Sequence, residues 1–182
     1  MGKKKVKSSQ KIQYNVSNDK NIVDNFKVVI NSSEWLKSCV IKEINFSNKY
    51  HDYKEMAQTL TKVMTEVIFD IQQNGFDIFN KNSIYYQRNH HCHIIDGEKK
   101  EIVKKILDEI YTNKLDIDSD EEKKLWQYGV TSGLRIICLY DQANCLVHPL
   151  FIDPYHLIYP SEKYNEKDVM KNSFCPIESF II

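Results

Sequence analysis

The chain has 182 residues, of which 42% are hydrophobic and 27% are charged, and it contains 5 Gly and 4 Pro. This composition excludes a fibrous or largely disordered protein and predicts a globular domain of ordinary size. The formal net charge of zero excludes a general electrostatic attraction of the whole molecule to nucleic acid or to an anionic membrane, so binding of either would need a local patch.

The first local patch is a basic segment at the start of the chain. "MGKKKVKSSQK" carries five lysines and no acidic residue. We expect residues 1–15 to form a disordered arm that is solvated or makes loose contact with phosphates, followed by one domain over residues 16–182. The candidate RNA-binding residues are Lys3, Lys4, Lys5 and, farther along the chain, Arg88.

The first half of the predicted domain combines short strands with a long helix. β-Branched stretches at residues 28–30 and 39–44 predict two strands. Residues 53–73 place apolar side chains at a spacing of 3.6 and predict an amphipathic helix, which Asn74-Gly75 is expected to end.

A second helix and an acidic segment follow. Residues 98–111 again carry apolar side chains in helical step. The segment "DIDSDEE" then predicts a short helical turn before "KKLWQYG", since Ser119 and Glu122 have capping-box spacing.

A β-hairpin is predicted over residues 134–152. "LRIICLY" and "CLVHPLFI" are apolar on both faces, as in central strands of a covered sheet, and "DQAN" supplies the turn. Pro149 lacks a backbone donor and predicts an edge or a bulge. The fold class expected from this order is α+β: an antiparallel sheet containing the hairpin, covered by the helices at about 53–73 and 98–111.

The sequence "HHCH" at His90 to His93 has side chains that could bind a metal. In a strand, His91 and His93 would point the same way, and a zinc site would need further ligands from elsewhere. A polar loop or edge strand is the alternative. Because no other residue has a spacing that completes a site, we expect no cofactor.

Arg135 lies inside the first apolar run of the hairpin, on the same face as Ile137. A guanidinium there is either paired with a carboxylate or held to meet a phosphate. Asp153, His156, Tyr159 and Lys163 follow the second strand and could gather at one end of the sheet.

These features carry a family resemblance over residues 125–160. A tryptophan before a glycine-containing turn, then "LRIICLYD", a turn, and a strand ending in "DPYHLIY" resembles the C-terminal half of the RelE/ParE/HigB-like toxins. The resemblance implies a small α+β protein that cuts RNA at the ribosome without a metal and is restrained by an antitoxin. It also implies that Arg135 stabilises the reacting phosphate, with His156 and Tyr159 as acid–base groups and Lys163 as a further candidate. Members are usually shorter and strongly basic, unlike this chain.

Three functions therefore stand as hypotheses. The first is a RelE-like toxin or phage-defence endoribonuclease, in the cytoplasm and outside membranes, which requires Arg135 exposed near His156. The second is a non-catalytic binding or regulatory protein, which predicts a buried, paired Arg135 and an exposed apolar patch. The third is a zinc-dependent hydrolase that uses the cluster at His90 to His93.

Overall fold

The computed structural model describes residues 26–88, 91–118, 122–130, 133–160 and 169–180. Within these ranges the chain forms a five-stranded sheet, a small two-stranded sheet and several helices. The strands are β1 (Lys27–Val28), β2 (Val40–Ile41), β3 (Phe46–Ser47), β4 (His93–Ile94), β5 (Lys123–Tyr128), β6 (Arg135–Asp141) and β7 (Leu146–Asp153). The helices are α1 (Tyr53–Lys62), α2 (Ile68–Ile78), α3 (Ile84–Arg88), α4 (Gly97–Ile110) and α5 (Pro176–Phe180).

The large sheet has the strand order β1-β7-β6-β5-β4. Its pairs are antiparallel except for β1, which runs parallel to β7. β2 and β3 form the separate two-stranded sheet. The mixture of helices with a mainly antiparallel sheet confirms the predicted α+β class, and the predicted hairpin is β6–β7.

Helices cover both faces of the sheet. Because alternate residues of a strand point to opposite faces, Ile136 of β6 packs in the cluster that contains α2, whereas Ile137 packs in the cluster that contains α4. On the α2 side, the fully buried side chains include Val63, Val67, Ile71, Ile78, Tyr128, Ile136 and Cys138. On the α4 side, they include Val103, Ile106, Ile110, Ile137, Phe151 and Ile158. The hairpin is therefore the middle layer of three.

The first long helix continues beyond its predicted end. α1 passes through a π-helical turn at Val63–Val67 into α2, which ends at Ile78 rather than before Asn74-Gly75. Gly75 serves packing instead of capping, since a Cβ there would lie 2.3 Å from Cγ of Phe26. The ring of Phe26 occupies that space, so the glycine allows a close approach to the helix. The second predicted helix is confirmed as α4.

The helical turn predicted in "DIDSDEE" falls largely on residues 119–121, which lie outside the described residues, and the segment after it, Lys123–Tyr128, is strand β5, which the sequence did not predict. Six residue pairs join β5 to β6 in antiparallel register. Ser119 lies outside the described residues.

Pro149 lies at an irregularity of the β6–β7 ladder. Ile137 pairs with Phe151 and Cys138 pairs with Pro149, which leaves Leu150 as the extra residue of a bulge. The bulge predicted from this proline is thus present. Among the helices of the described ranges, none is both long and apolar enough to cross a bilayer.

Candidate functional site

Polar side chains collect on the α4 face at one end of the large sheet. His93 on β4 is paired with Gln127 on β5, and Arg135 on β6 is paired with Asp153 on β7. Since paired residues share a face of the sheet, these side chains lie on the same side. We call His91, His93, Gln127, Arg135 and His156 the histidine–arginine site.

Arg135 forms the floor of this site. Its side chain is 1% exposed, and its Nη1 donates to the carbonyl oxygen of Leu134 at 2.8 Å. Gly129 provides room, because a Cβ there would lie 2.2 Å from that carbonyl oxygen and 3.0 Å from Nη1. Burial lowers the pKa of Arg135, and the nearby carboxylate of Asp153 opposes this change. Arg135 is therefore a buried cation with a fixed orientation.

Asp153 shapes the turn that follows β7. Its carboxylate is fully buried and accepts hydrogen bonds from the backbone N–H groups of Tyr155, Leu157 and Ile158 at 3.3, 3.0 and 3.1 Å. Burial raises its pKa, while these three N–H groups and Arg135 oppose the rise. The carboxylate thereby holds the turn that carries His156 over the sheet.

His91 is held by the guanidinium. Nη2 of Arg135 lies 2.9 Å from Nδ1 of His91. Arginine has no acceptor and can only donate, so Nδ1 of His91 must be unprotonated. The ring is therefore neutral with its proton on Nε2.

His156 combines an unusual backbone with a depressed pKa. Its φ of 59° lies in the left-handed region, which costs a non-glycine residue about 1–2 kcal/mol. Burial, followed by the charge of Arg135 and the charges that His91 and His93 carry when protonated, lowers the pKa of His156 to about 4. Its imidazole is consequently neutral at neutral pH. Strain of this kind is concentrated at functional sites in proteins.

The side chain of Gln127 makes a hydrogen bond with the ring of His156. Its side chain is fully buried, and its Nε2 lies 3.2 Å from Nε2 of His156. The Oε1 atom is also buried, with no hydrogen-bond partner among the described residues. A buried polar atom without a partner costs about 1–3 kcal/mol, so this residue is unfavourable for stability alone.

Tyr159 forms the border of the site beside α4. The centroid of its ring lies 5.5 Å from the centroid of the His93 ring and 5.3 Å from Nζ of Lys99. Burial, with the charges of Asp96 and Tyr86, raises the pKa of Tyr159. The phenol therefore stays protonated at neutral pH with a lysine ammonium close by.

The structure brings together five of the residues that the sequence indicated. Arg135, His156 and Tyr159, implied by the family resemblance, meet His91 and His93 of the histidine cluster. The sequence analysis missed Gln127 in the site and Lys99 beside its border residue Tyr159. Gln127 has no sequence signal beyond its place between two aromatic residues, and the strand that carries it was not predicted.

The other predicted residues are one exposed arginine and several residues outside the described ranges. Arg88 is exposed in the last turn of α3. Lys163, His90 and the arm residues Lys3, Lys4 and Lys5 are outside the described ranges.

The requirement of an exposed Arg135 is not met, because the guanidinium is buried beneath His91. It contacts an imidazole and a carbonyl instead of lining the surface. Nor do the described residues contain a group of three or more His, Cys, Asp or Glu side chains arranged to hold a metal ion. At His91, the hydrogen bond from Arg135 already occupies the Nδ1 lone pair.

Comparison with known proteins identifies a family. No solved structure matches this chain. A protein of Ureaplasma parvum serovar 3, described as "Uncharacterized protein UU032", is 27% identical over 182 residues, covering 97% of this chain and 95% of its own length. The model of the family "Uncharacterised protein UU032" matches residues 31–182. Because this match includes every element from the turn at Ser33–Leu36 onward, the chain belongs to the UU032 family.

Proposed function

We propose that this protein cleaves the RNA backbone at the histidine–arginine site. In this reaction the 2′-hydroxyl attacks the adjacent phosphorus and displaces the 5′-oxygen, leaving a 2′,3′-cyclic phosphate and a 5′-hydroxyl. The chemistry needs a proton acceptor, a proton donor and groups that stabilise charge on the phosphoryl oxygens. Side chains suited to each task occur together in the site.

The observation that carries the proposal is the convergence of three imidazoles above one buried guanidinium. His91, His93 and His156 come from two separate segments of the chain, and protonation of the first two would disfavour protonation of the third. A hydrogen bond from Arg135 fixes His91. A cluster of titratable groups that includes a strongly shifted pKa is typical of catalytic sites.

Proton transfer is assigned to His93 and Tyr159, whose rings are adjacent. His93 accepts the proton of the 2′-hydroxyl. Tyr159, which remains protonated because its pKa is raised, donates its proton to the departing 5′-oxygen. Water then returns the proton from His93 to Tyr159, and the ammonium of Lys99 attracts the phosphate.

Arg135 has a supporting role in this proposal. A side chain that is 1% exposed does not reach a phosphate at the surface. It orients His91 and adds positive charge beneath the site, where the low local dielectric strengthens its effect. This role replaces the direct phosphate contact implied by the family resemblance.

The test uses purified protein and an end-labelled single-stranded RNA oligonucleotide in the presence of EDTA. We expect products ending in a 2′,3′-cyclic phosphate, and no cleavage of DNA of the same sequence, which lacks the attacking hydroxyl. His93→Gln should reduce the rate by about 100-fold or more, the range for loss of an acid–base group. His51→Gln is the matched control, because the His51 side chain is 78% exposed. Intact RNA with the natural protein contradicts the proposal.

The toxin and phage-defence hypothesis is tested in cells. Controlled expression in a bacterium should halt growth and truncate cellular RNA, whereas His93→Gln at matched soluble yield should do neither. An antitoxin would then be sought as a protein that restores growth. Unchanged growth would count against a toxin but would leave the cleavage assay to decide the chemistry.

A binding protein is the second candidate, and burial of Arg135 favours it. Large apolar side chains are also exposed on the first helical layer, with Met64 at 52% and Phe69 at 57%. Growth arrest that persists in His93→Gln but disappears in a Met64→Ser/Phe69→Ser variant would support binding instead of cleavage.

A further inference from the structure

We infer that Gln127 is a positioning residue that holds His156 with its single ring proton on Nδ1, and that this Nδ1–H donates to a phosphoryl oxygen of the substrate. The inference rests on the proposed function for the identity of the ligand as a phosphate. It assigns His156 to phosphate binding, whereas the family resemblance implied an acid–base role.

The hydrogen bond between the two side chains fixes the proton. Nε2 of Gln127 carries two hydrogens and no available lone pair, so across 3.2 Å to Nε2 of His156 it acts as the donor. The lone pair of His156 Nε2 is thereby used. A neutral imidazole has one N–H, and in His156 it must be on Nδ1.

Burial makes this arrangement rigid. Gln127 is fully buried on β5, between its pairing partners His93 on β4 and Ile137 on β6. Its Oε1 lacks a partner within the described part of the chain. The amide of Gln127 therefore orients His156, although one of its own hydrogen-bonding atoms is left without a partner in the described part of the chain.

The backbone of His156 contributes to the same orientation. The left-handed conformation at φ 59° is held by the hydrogen bonds that Asp153 accepts on either side of it, from Tyr155 and from Leu157. Gln127 is the one hydrogen-bond partner of the His156 ring among the described residues. Nδ1–H is consequently directed away from Gln127, and the half-buried ring can present it to a ligand.

A neutral donor suits the phosphate of an RNA strand. The pKa of about 4 keeps His156 from becoming a cation at neutral pH, so the ring donates without competing for the proton that His93 accepts. Preorganised donors of this kind stabilise the charge that develops on phosphoryl oxygens. Lys99, at the border, supplies the positive charge that a neutral donor lacks.

The first test reads the ring proton directly in the full-length protein labelled with ¹⁵N-histidine. Long-range ¹H–¹⁵N correlation spectra distinguish a protonated from an unprotonated nitrogen in each ring. We expect Nδ1 of His156 and Nε2 of His91 to be protonated, with the signals assigned by loss in His156→Asn and His91→Gln. Asparagine tolerates the left-handed backbone of residue 156. A proton on Nε2 of His156 overturns the inference.

A second variant tests the role of Gln127 as a positioning residue. In Gln127→Glu the carboxylate can only accept, so the proton of His156 should move to Nε2. The circular dichroism spectrum establishes whether this variant is folded, and Gln127→Met provides a variant without hydrogen bonding if it is not. Unchanged protonation of His156 in a folded variant overturns the positioning role.

The ligand is tested with inorganic phosphate. Phosphate should shift the Nδ1–H resonance of His156 saturably and leave the exposed His51 unaffected, and His156→Asn should weaken binding about tenfold or more. If the proton is on Nδ1 but phosphate causes no shift, the assignment of the ligand fails. If phosphate binds as expected while RNA stays intact in the cleavage assay, the proposed function fails and the binding site remains.

Discussion

Arg135 and Asp153 are opposite charges buried as a cross-strand pair. Both side chains are at most 1% exposed, and each affects the pKa of the other. Removing one partner of a buried pair leaves an uncompensated charge, which costs far more than replacing both. Replacing both charges together is therefore expected to cost less stability than removing either one alone.

We predict that Arg135→Met lowers the free energy of unfolding by about 3–5 kcal/mol. Asp153→Asn should also destabilise, and the double variant should be more stable than the sum of the two changes, with a coupling of about 0.5–3 kcal/mol. Urea unfolding of the four proteins measures this cycle. Simple additivity would show that the two charges do not interact.

His156 makes stability depend on pH. The unfolded ring titrates near 6.5 and the folded ring near 4, so between these values the unfolded chain binds more protons. Stability is therefore present at neutral pH and is lost as the pH falls from 6.5 to about 4. We predict that His156→Asn reduces this loss, measured as the slope of unfolding free energy against pH. An equal slope in both proteins would contradict the lowered pKa.

At the scale of elements, the packing of Phe26, directly before β1, against α2 depends on one glycine. Alanine in a helix is normally better than glycine by about 1 kcal/mol, but a Cβ at Gly75 would meet the Phe26 ring at 2.3 Å. We predict that Gly75→Ala destabilises by about 1–3 kcal/mol, the usual cost of overpacking. Gln73→Ala, on the exposed face of the same helix, should change stability by less than about 0.5 kcal/mol. Thermal melts of both variants, with Phe26→Leu to relieve the clash, test this contact.

The sequence predicted those elements whose signals are local. The hairpin at 134–152 was recognisable because two apolar runs surround a turn, and α4 because its apolar side chains keep one helical stripe. β5 was missed, since its strand conformation comes from pairing with β6 across the intervening turn. Gly75 was misread for the same reason, because Phe26 lies far away in sequence.

The candidate site was predictable only in its residue types. Arg135, His156 and Tyr159 lie on the hairpin or just after it, within one continuous segment. His91 and His93 lie close to these residues only because β4 pairs with β5 at the edge of the sheet. Gln127 has no distinctive sequence pattern, and its role is visible only from the hydrogen bond to His156.

At the scale of the whole molecule, the early part of the chain shares a core with the hairpin. Trp35 lies in the turn at Ser33–Leu36 and Trp126 lies on β5, yet both belong to the cluster that also contains Val67 and Ile136. Side chains from before residue 80 thus cover one face of β6. Separation of the two parts would expose this shared apolar surface.

These two tryptophans allow a test of cooperativity, because they are the only two in the chain. We predict that each single-tryptophan variant, Trp35→Phe and Trp126→Phe, unfolds in one urea transition. Within each variant, the fluorescence of the remaining tryptophan and the circular dichroism signal should change at the same urea concentration, as expected for one cooperative unit. Each variant is its own control, since its two probes report on the same protein. If Trp35 unfolds at lower urea than the circular dichroism signal of its own variant, the early segment is a separate unit. A fragment of residues 75–182 would then fold alone, whereas a shared core predicts that it does not, because it lacks Trp35 and Val67.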